Sequence, residues 1–323
     1  MARGRKQWRS DQPTVVERMS CMLTTVSVFR GGIGPRIRSR CVASATQRGS
    51  RKMMFTPVMA ANGSQHPAII EVITIAVANH KGGVGKTFTA IRVAVELAGL
   101  GRRLLVVDAD AQAHATVYFI GEEGLESLEG DISDVLDGVE LSKLIVSTPY
   151  LHLDLVPASL RVAEMELRLV ADPGRRDQRL ARALDQLADK YDLAVIDCPP
   201  SLGLVTINAL AAADLLVSPV TLTNFALNGL SRFLTWLETF RAEGMVRASL
   251  LGVLPTSYDR RQQVDRDGLR LLHRSGLRVL EPVPKRTAVE RLIAAQALGA
   301  NILSEPPEVT EAYRVLADAI LER

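Results

Sequence analysis

The 323-residue chain is 47% hydrophobic but only 4% aromatic, and its formal net charge is +3. That supplies enough apolar material for one large α/β core, while no apolar run approaches the roughly 20 residues needed to span a membrane. Cys21, Cys41 and Cys198 lie far apart, a spacing that indicates neither a disulfide framework nor a metal cluster and suits a reducing cytoplasm, and so few aromatics argue against base stacking as a main mode of nucleic-acid binding.

Charge divides the chain. Residues 1–66 carry twelve Lys/Arg against Asp11 and Glu17, a net +10 that leaves −7 for the remainder. The segment has no sustained period and scattered Ser, Gly and Pro, so it reads as a basic, disordered stretch. Four readings compete: an arm for DNA phosphates, an organelle transit peptide, a solvated tail, or a mis-assigned start with translation beginning at Met53, Met54 or Met59. The late start is favoured, because the folded pattern over 67–323 does not need what precedes it.

Ile69 to Ala78 is dense in Ile and Val and reads as a buried strand, and Thr89 to Leu100 has apolar residues at helical spacing. Between them lies Asn79-His80-Lys81-Gly82-Gly83-Val84-Gly85-Lys86-Thr87. Its glycines let several N–H groups converge on one point, where the positive end of the helix dipole adds attraction for phosphate. Gly82, Gly83, Val84, Gly85, Lys86, Thr87 and Phe88 form the expected nucleotide cradle. Lys86 would reach the terminal phosphates and the Thr87 hydroxyl would ligate Mg²⁺. His80 stands where the common pattern has its first glycine, and Lys81 is an added lysine.

A second buried strand, Leu104 to Asp108, runs into Ala109-Asp110-Ala111-Gln112, and a third, Asp192 to Asp197, into Cys198-Pro199-Pro200. Three strand ends that carry a phosphate loop, an acidic pair and a lone Asp describe one site, because open α/β sheets bind ligands there. Downstream, Glu122 to Val146 reads as loop-rich and partly helical. A strand at Leu151 to Pro157 and helices at Arg161 to Val170 and Arg175 to Lys190 follow. After the third strand come a helix at Leu204 to Ala213, a strand at Asp214 to Val220 and an amphipathic helix at Ala226 to Glu243. Strand Ser249 to Pro255, helix Gln262 to Ser275, strand Leu277 to Val283 and helices at Thr287 to Leu298 and Glu308 to Leu321 complete the pattern. Such alternation predicts an α/β fold with a mostly parallel twisted sheet and helices on both faces.

These motifs in this order resemble the ParA family of partition ATPases, within the deviant P-loop ATPases, over about residues 70 to 322. The resemblance implies an ATPase domain over 67–323 with ATP and Mg²⁺ as cofactors. It makes Lys81 the lysine that reaches across a dimer to the partner's nucleotide, Lys86 the phosphate lysine and Thr87 a Mg²⁺ ligand. Asp110 becomes the residue that activates water and Asp197 the strand-end aspartate that holds Mg²⁺ directly or through water, so Lys81, Lys86 and Asp110 carry the catalysis. Asp108 reads as a strand-end cap or supporting partner, and His114 as a loop residue without catalytic duty. The family segment matched by Asp108 to Thr116 usually reads Asp-x-Asp-Pro-Gln-Gly-Asn-Ala-Thr. Ala111, Ala113 and His114 replace its Pro, Gly and Asn, so a different loop backbone is expected.

Basic residues crowd the C-terminal third, and Tyr258-Asp259-Arg260-Arg261 is similar to the family's Tyr-Asp-x-Arg-Thr. Arg232, Arg261 and Arg286 are candidate contacts to DNA phosphates; the alternative is a set of solvated helix faces paired with Glu and Asp. The resemblance further implies ATP-dependent homodimerisation, sequence-independent binding to double-stranded DNA, a ParB-like centromere-binding partner and a cytoplasmic, nucleoid-associated protein. A MinD-like membrane switch is disfavoured by Glu311, Asp318 and Glu322 against Arg314 and Arg323 in the last helix. A nucleotide-dependent scaffold that does not act on DNA stays open.

Overall fold

The structure, a computed structural model, describes residues 72–172, 174, 176–285 and 306–323. The boundary expected at 66/67, Arg286 and the helix expected at Thr287 to Leu298 lie outside them. In chain order the elements are β1 (Ile73–Val77), α1 (Lys86–Gly99), β2 (Leu104–Asp108), α2 (His114–Glu126), α3 (Ile132–Leu136), β3 (Val146–Ser147), β4 (Leu153–Val156), α4 (Arg161–Ala171) and α5 (Arg179–Asp185). They continue with β5 (Leu193–Asp197), α6 (Leu204–Ala212), β6 (Leu215–Thr221), α7 (Asn224–Ala242), β7 (Ser249–Thr256), α8 (Gln263–Arg274) and α9 (Pro307–Leu321).

The strands form one sheet in the order β3-β4-β2-β5-β1-β6-β7, parallel throughout except for β3 against β4. Alternate residues of the central strands feed two cores. Ala76, Leu105, Val107, Ala194, Ile196 and Leu216 pack toward the face covered by α4 to α7. Ile75, Val77, Leu104, Val106, Val195 and Val217 pack toward the face covered by α1, α2 and α9. Burial on both faces is why these strands read as continuous apolar runs rather than alternating ones. From β1 the chain crosses to β2 on one side, and from β5 it crosses back to β6 on the other. This reversal opens a crevice at the carboxyl ends of β1 and β5.

Three elements differ from expectation. Leu277 to Val283 runs beside β7, bonding Leu280 N–H to the Val253 carbonyl (2.9 Å) and Val283 N–H to the Pro255 carbonyl (2.8 Å), yet it makes only isolated bridges. Pro255, Pro282 and Pro284 offer no N–H, so a regular ladder cannot propagate. The helix expected over Arg175 to Lys190 is confined to α5; beyond it Leu187 and Lys190 N–H groups bond three residues back, which turns the chain into β5. Finally, α2 starts at His114, inside a stretch read as loop, and bends at Gly121 (φ 73°).

Candidate active site

Between β1 and α1 the chain turns through Gly83 (φ 69°) and Gly85 (φ 85°), left-handed positions where a side chain would add strain. Gly85 opens α1, accepting the Thr89 N–H at 2.9 Å, so the first-turn N–H groups face the loop. Two anchors fix this turn to neighbouring strands. Asn79 donates from Nδ2 to the Pro219 carbonyl on β6 (2.7 Å) and accepts the Lys81 N–H at Oδ1 (3.1 Å). Thr256, at the end of β7, donates to the Val84 carbonyl at 2.8 Å. Neither anchor was singled out from the sequence, although Asn79 was quoted as part of the motif.

Lys86 is buried and its ammonium donates to the Lys81 carbonyl at 3.3 Å. Burial holds its pKa below the usual lysine range, against the opposing pull of Asp197. Thr87 is half-buried beside it. The Phe88 ring instead lies in the core, edge-on to Tyr313 with centroids 5.7 Å apart, so any contact it makes with a nucleotide comes from its backbone.

Register brings the acidic residues together. Asp108 on β2 sits directly across from Asp197 on β5, which sits across from Val77 on β1. Both aspartates are fully buried, and burial raises both pKa values, Asp108 to about 6; the proximity of Asp108 raises Asp197 further. Their surroundings differ. Asp108 Oδ1 accepts the Asp110 N–H (3.1 Å), and its Oδ2 accepts both the N–H and the hydroxyl of Thr116 (2.8 Å each). Among the described residues neither Asp197 oxygen has a hydrogen-bond partner within ordinary bonding geometry, although the Thr87 hydroxyl and the Lys86 ammonium are near enough to oppose its pKa rise. Asp110 is half-buried, and its Oδ1 accepts the Gln112 N–H at 3.0 Å.

The loop that follows keeps a glycine-type backbone: Ala113 adopts φ 53° at the start of α2, the position where the resembled family has glycine. The different backbone expected there is therefore not forced by the substitution; Ala113 absorbs it as strain of about 1 kcal/mol. His114 is exposed in the first turn of α2. Thr116 locks the loop, because its hydroxyl also accepts the Ala158 N–H at 2.9 Å. Replacing Thr116 by Val would leave that N–H without its partner and take one of two donors from Asp108 Oδ2 in a buried setting. We expect a loss of about 2–4 kcal/mol in urea denaturation, and a loss below about 1 kcal/mol would show that the network contributes little.

Helix α7 faces the loop from the other side. Gly229 lies against His80, where an added Cβ would meet Cε1 at 2.8 Å, and the His80 ring stacks at 6.5 Å on Phe233. Burial, followed by the charges of Arg232, Lys86 and Lys81, keeps His80 below its ordinary pKa. The Lys81 ammonium sits 5.2 Å from the centroid of Phe225, a residue that is 78% exposed. Phe225 was not singled out from the sequence, since its nearness to Lys81 arises only once β6 lies beside β1.

The basic residues separate into two sets. Arg241, Arg247 and Arg270 pair with Glu238, Asp214 and Asp267. Arg261 pairs with Asp259 at 3.1 Å, and the Arg261 hydrogen bonds hold the Asp259 carboxyl down at about 2. Arg232, Arg260, Arg274, Arg278 and Lys285 are exposed and have no acidic partner among the described residues. Arg232 stands beside His80, next to the phosphate loop rather than away from it.

The donor set fits a magnesium nucleotide. Two orphaned, fully buried carboxylate oxygens on Asp197 call for a cation, Thr87 offers a second oxygen, and a glycine turn with a buried lysine at a helix N-terminus calls for phosphate. A mostly parallel sheet with this loop at the end of β1 and aspartates at the ends of the next two strands, Asp197 on β5 and Asp108 on β2, defines a P-loop nucleotide hydrolase of the two-lysine type.

Comparison with known proteins narrows the class. Residues 72–250 match the family model described as AAA domain. The chain is 39% identical over 212 residues to the sporulation initiation inhibitor protein Soj of Bacillus subtilis, covering 65% of this chain and 78% of that protein. It is 38% identical over 259 residues to the chromosome-partitioning ATPase Soj of Thermus thermophilus, covering 78% and 97%. Among solved structures, cobyrinic acid a,c-diamide synthase from Mycobacterium smegmatis with bound ATP analog and magnesium superposes with a TM-score of 0.67 at 35% identity, covering 78% of this chain and 95% of that one. The chain belongs to the ParA/Soj family of P-loop ATPases, and it is an ATPase with ATP and Mg²⁺ as cofactors. No helix among the described residues is long and apolar enough to cross a membrane.

Proposed function

We propose that the chain is a DNA-segregation ATPase that dimerises on ATP, binds double-stranded DNA without sequence preference and releases it on hydrolysis. The observation that carries this reading is the division of labour between the two lysines. Lys86 is turned inward and buried, whereas Lys81 uses its carbonyl to hold Lys86 and keeps its own side chain outside the loop. A cation held outside its own phosphate site is placed for a phosphate supplied by a second copy. The names of the relatives, chromosome-partitioning ATPase among them, supply the cellular setting. A cytoplasmic, nucleoid-associated protein with a ParB-like partner follows from that setting.

In this reading Gly82, Gly83, Val84, Gly85 and the N–H of Phe88 cradle the phosphates, and Lys86 neutralises charge on the terminal ones. Thr87 and Asp197 hold Mg²⁺, which when bound supplies charge neutralisation to the phosphoryl group. Asp110 orients and deprotonates the attacking water. Asp108 does not share that task, because it is fully buried and its oxygens hold the loop through the Asp110 N–H and Thr116. Residues 67–323 form the ATPase unit, and residues 1–66 are not required for it. Arg232 and Arg261, with Arg286 outside the described residues, remain the proposed DNA contacts. Arg261 enters with its charge partly satisfied by Asp259.

The test is binding to random-sequence duplex DNA with ATP, ADP or no nucleotide, by full-length protein and by a version starting at Met59. Joining two basic surfaces in a dimer implies about 6–10 phosphate contacts, so affinity should appear only with ATP and fall about 10³-fold or more between about 50 and about 200 mM salt. Absence of binding by either protein in every nucleotide state would overturn the DNA role and leave the scaffold reading.

A further inference from the structure

We infer that Phe225 is a positioning residue for Lys81: its ring holds the lysine ammonium on the face that the second subunit meets, directed at that subunit's phosphates. This rests on the cross-dimer reading of Lys81 and adds to it a reason why the side chain is already outside its own loop.

The geometry fixes both partners independently. Asn79 ties the Lys81 backbone to β6 through the Pro219 carbonyl, and Phe225 follows the end of β6 by four residues, in the first turn of α7. That turn is held by Thr223, whose hydroxyl accepts the Ala226 N–H at 3.3 Å. One turn later Gly229 abuts His80, and Phe233 stacks on the same imidazole. Residues 225, 229 and 232 recur at helical spacing, so a single stripe of α7 faces His80 and Lys81. The stripe offers a π-face at its start and the Arg232 cation at its end. Lys81 has no carboxylate partner among the described residues; the attraction that directs its ammonium is the Phe225 ring, 5.2 Å away.

Exposure supports the same assignment. Phe225 shares the highest exposure among the large apolar side chains of the described residues, 78%, while its neighbours Ala226 and Leu227 are buried. A ring so placed gains burial when a second copy closes over the loop, and desolvation then strengthens its hold on the cation. His80, fixed against Gly229 and Phe233, keeps the loop from swinging away from this seat.

A ring–cation contact of this kind is worth about two- to fivefold per site, so about tenfold across a two-fold dimer that contains it twice. The experiment measures ATP-dependent dimerisation by light scattering, and ATP binding to the monomer with a fluorescent nucleotide, for the full chain and its variants F225L, F225W and K81A. Leu keeps apolar bulk without a π-face, and Trp provides a better one. F225L should weaken the dimer about tenfold with monomer ATP affinity unchanged, and F225W should restore or exceed the wild-type dimer. Wild-type dimerisation by F225L, or equal weakening by F225L and F225W, would reduce Phe225 to bulk at an interface and overturn the proposal. A parallel loss of monomer ATP binding in F225L would overturn it as well, by placing the effect in the phosphate loop. Normal dimers in K81A would instead remove the cross-dimer reading itself, and with it this one.

Discussion

Lys81→Ala will leave a protein that binds ATP as a monomer but no longer dimerises with it, and ATP-dependent DNA binding will disappear in the same variant. The reasoning starts from what Lys81 does within its own subunit. Its backbone carbonyl accepts the Lys86 ammonium and its backbone N–H is held by Asn79, contacts that alanine retains. The side chain, by contrast, carries its ammonium over the Phe225 ring, 5.2 Å from its centroid. Monomer ATP affinity should therefore change by less than about tenfold. Each trans contact between an ammonium and a phosphate is a charged hydrogen bond worth about 1.5–3 kcal/mol, and two-fold symmetry loses it twice. Dimerisation weakened by about 10²–10⁴ lies outside the useful protein range. Light scattering with ATP, alongside nucleotide titration, measures both quantities, and intact dimers would sink the cross-dimer role.

How far the sequence reveals this site depends on the range over which each feature is encoded. The phosphate loop, the acidic strand end at Asp108 and the strand end at Asp197 are legible because each is a local signal: a doubly buried apolar run that stops abruptly at glycine or aspartate. The parallel sheet follows from their alternation with helices. Less legible is the start of α2, because Ala113 takes a left-handed conformation that alanine seldom adopts, so nothing local marks His114 as helical. The expected strand at Leu277 to Val283 was misread for the opposite reason. Its apolar content suits a strand, but its prolines and those of β7 deny it a ladder.

Pairings over long separations are the least accessible. Phe225 meets Lys81, and Thr256 meets Val84, because β6 and β7 follow β1 in the sheet order, which residue spacing does not encode. The basic third of the chain shows the same limit. Counting arginines predicts a charged surface, whereas the fold neutralises Arg241, Arg247 and Arg270 locally and carries Arg232 up to the phosphate loop.

Asp110→Ala will separate binding from hydrolysis: ATP-dependent dimers will form and persist, while phosphate release falls by about 10²–10⁴, the usual contribution of a positioned general base. Two carboxylates at the end of β2 compete for this role, and their hydrogen bonds decide between them. Asp108 is fully buried and held by the Asp110 N–H and by Thr116, so removing it would break the network that fixes the loop rather than the chemistry alone. Among the described residues Asp110 commits only Oδ1, to the Gln112 N–H, and it is half-buried, which leaves Oδ2 available to a water. Its loss leaves Lys81, Lys86, Thr87 and Asp197 in place, so the contacts that join nucleotide and subunits survive. Because the proposed dimer dissolves only by hydrolysis, the variant should also remain on DNA after excess ATP is washed away, whereas the wild-type protein dissociates. Phosphate release measured in parallel with DNA dwell time checks both halves. Hydrolysis within about threefold of wild type would transfer the water-activating role to another group, and loss of dimers would mean that Asp110 shapes the loop rather than the reaction.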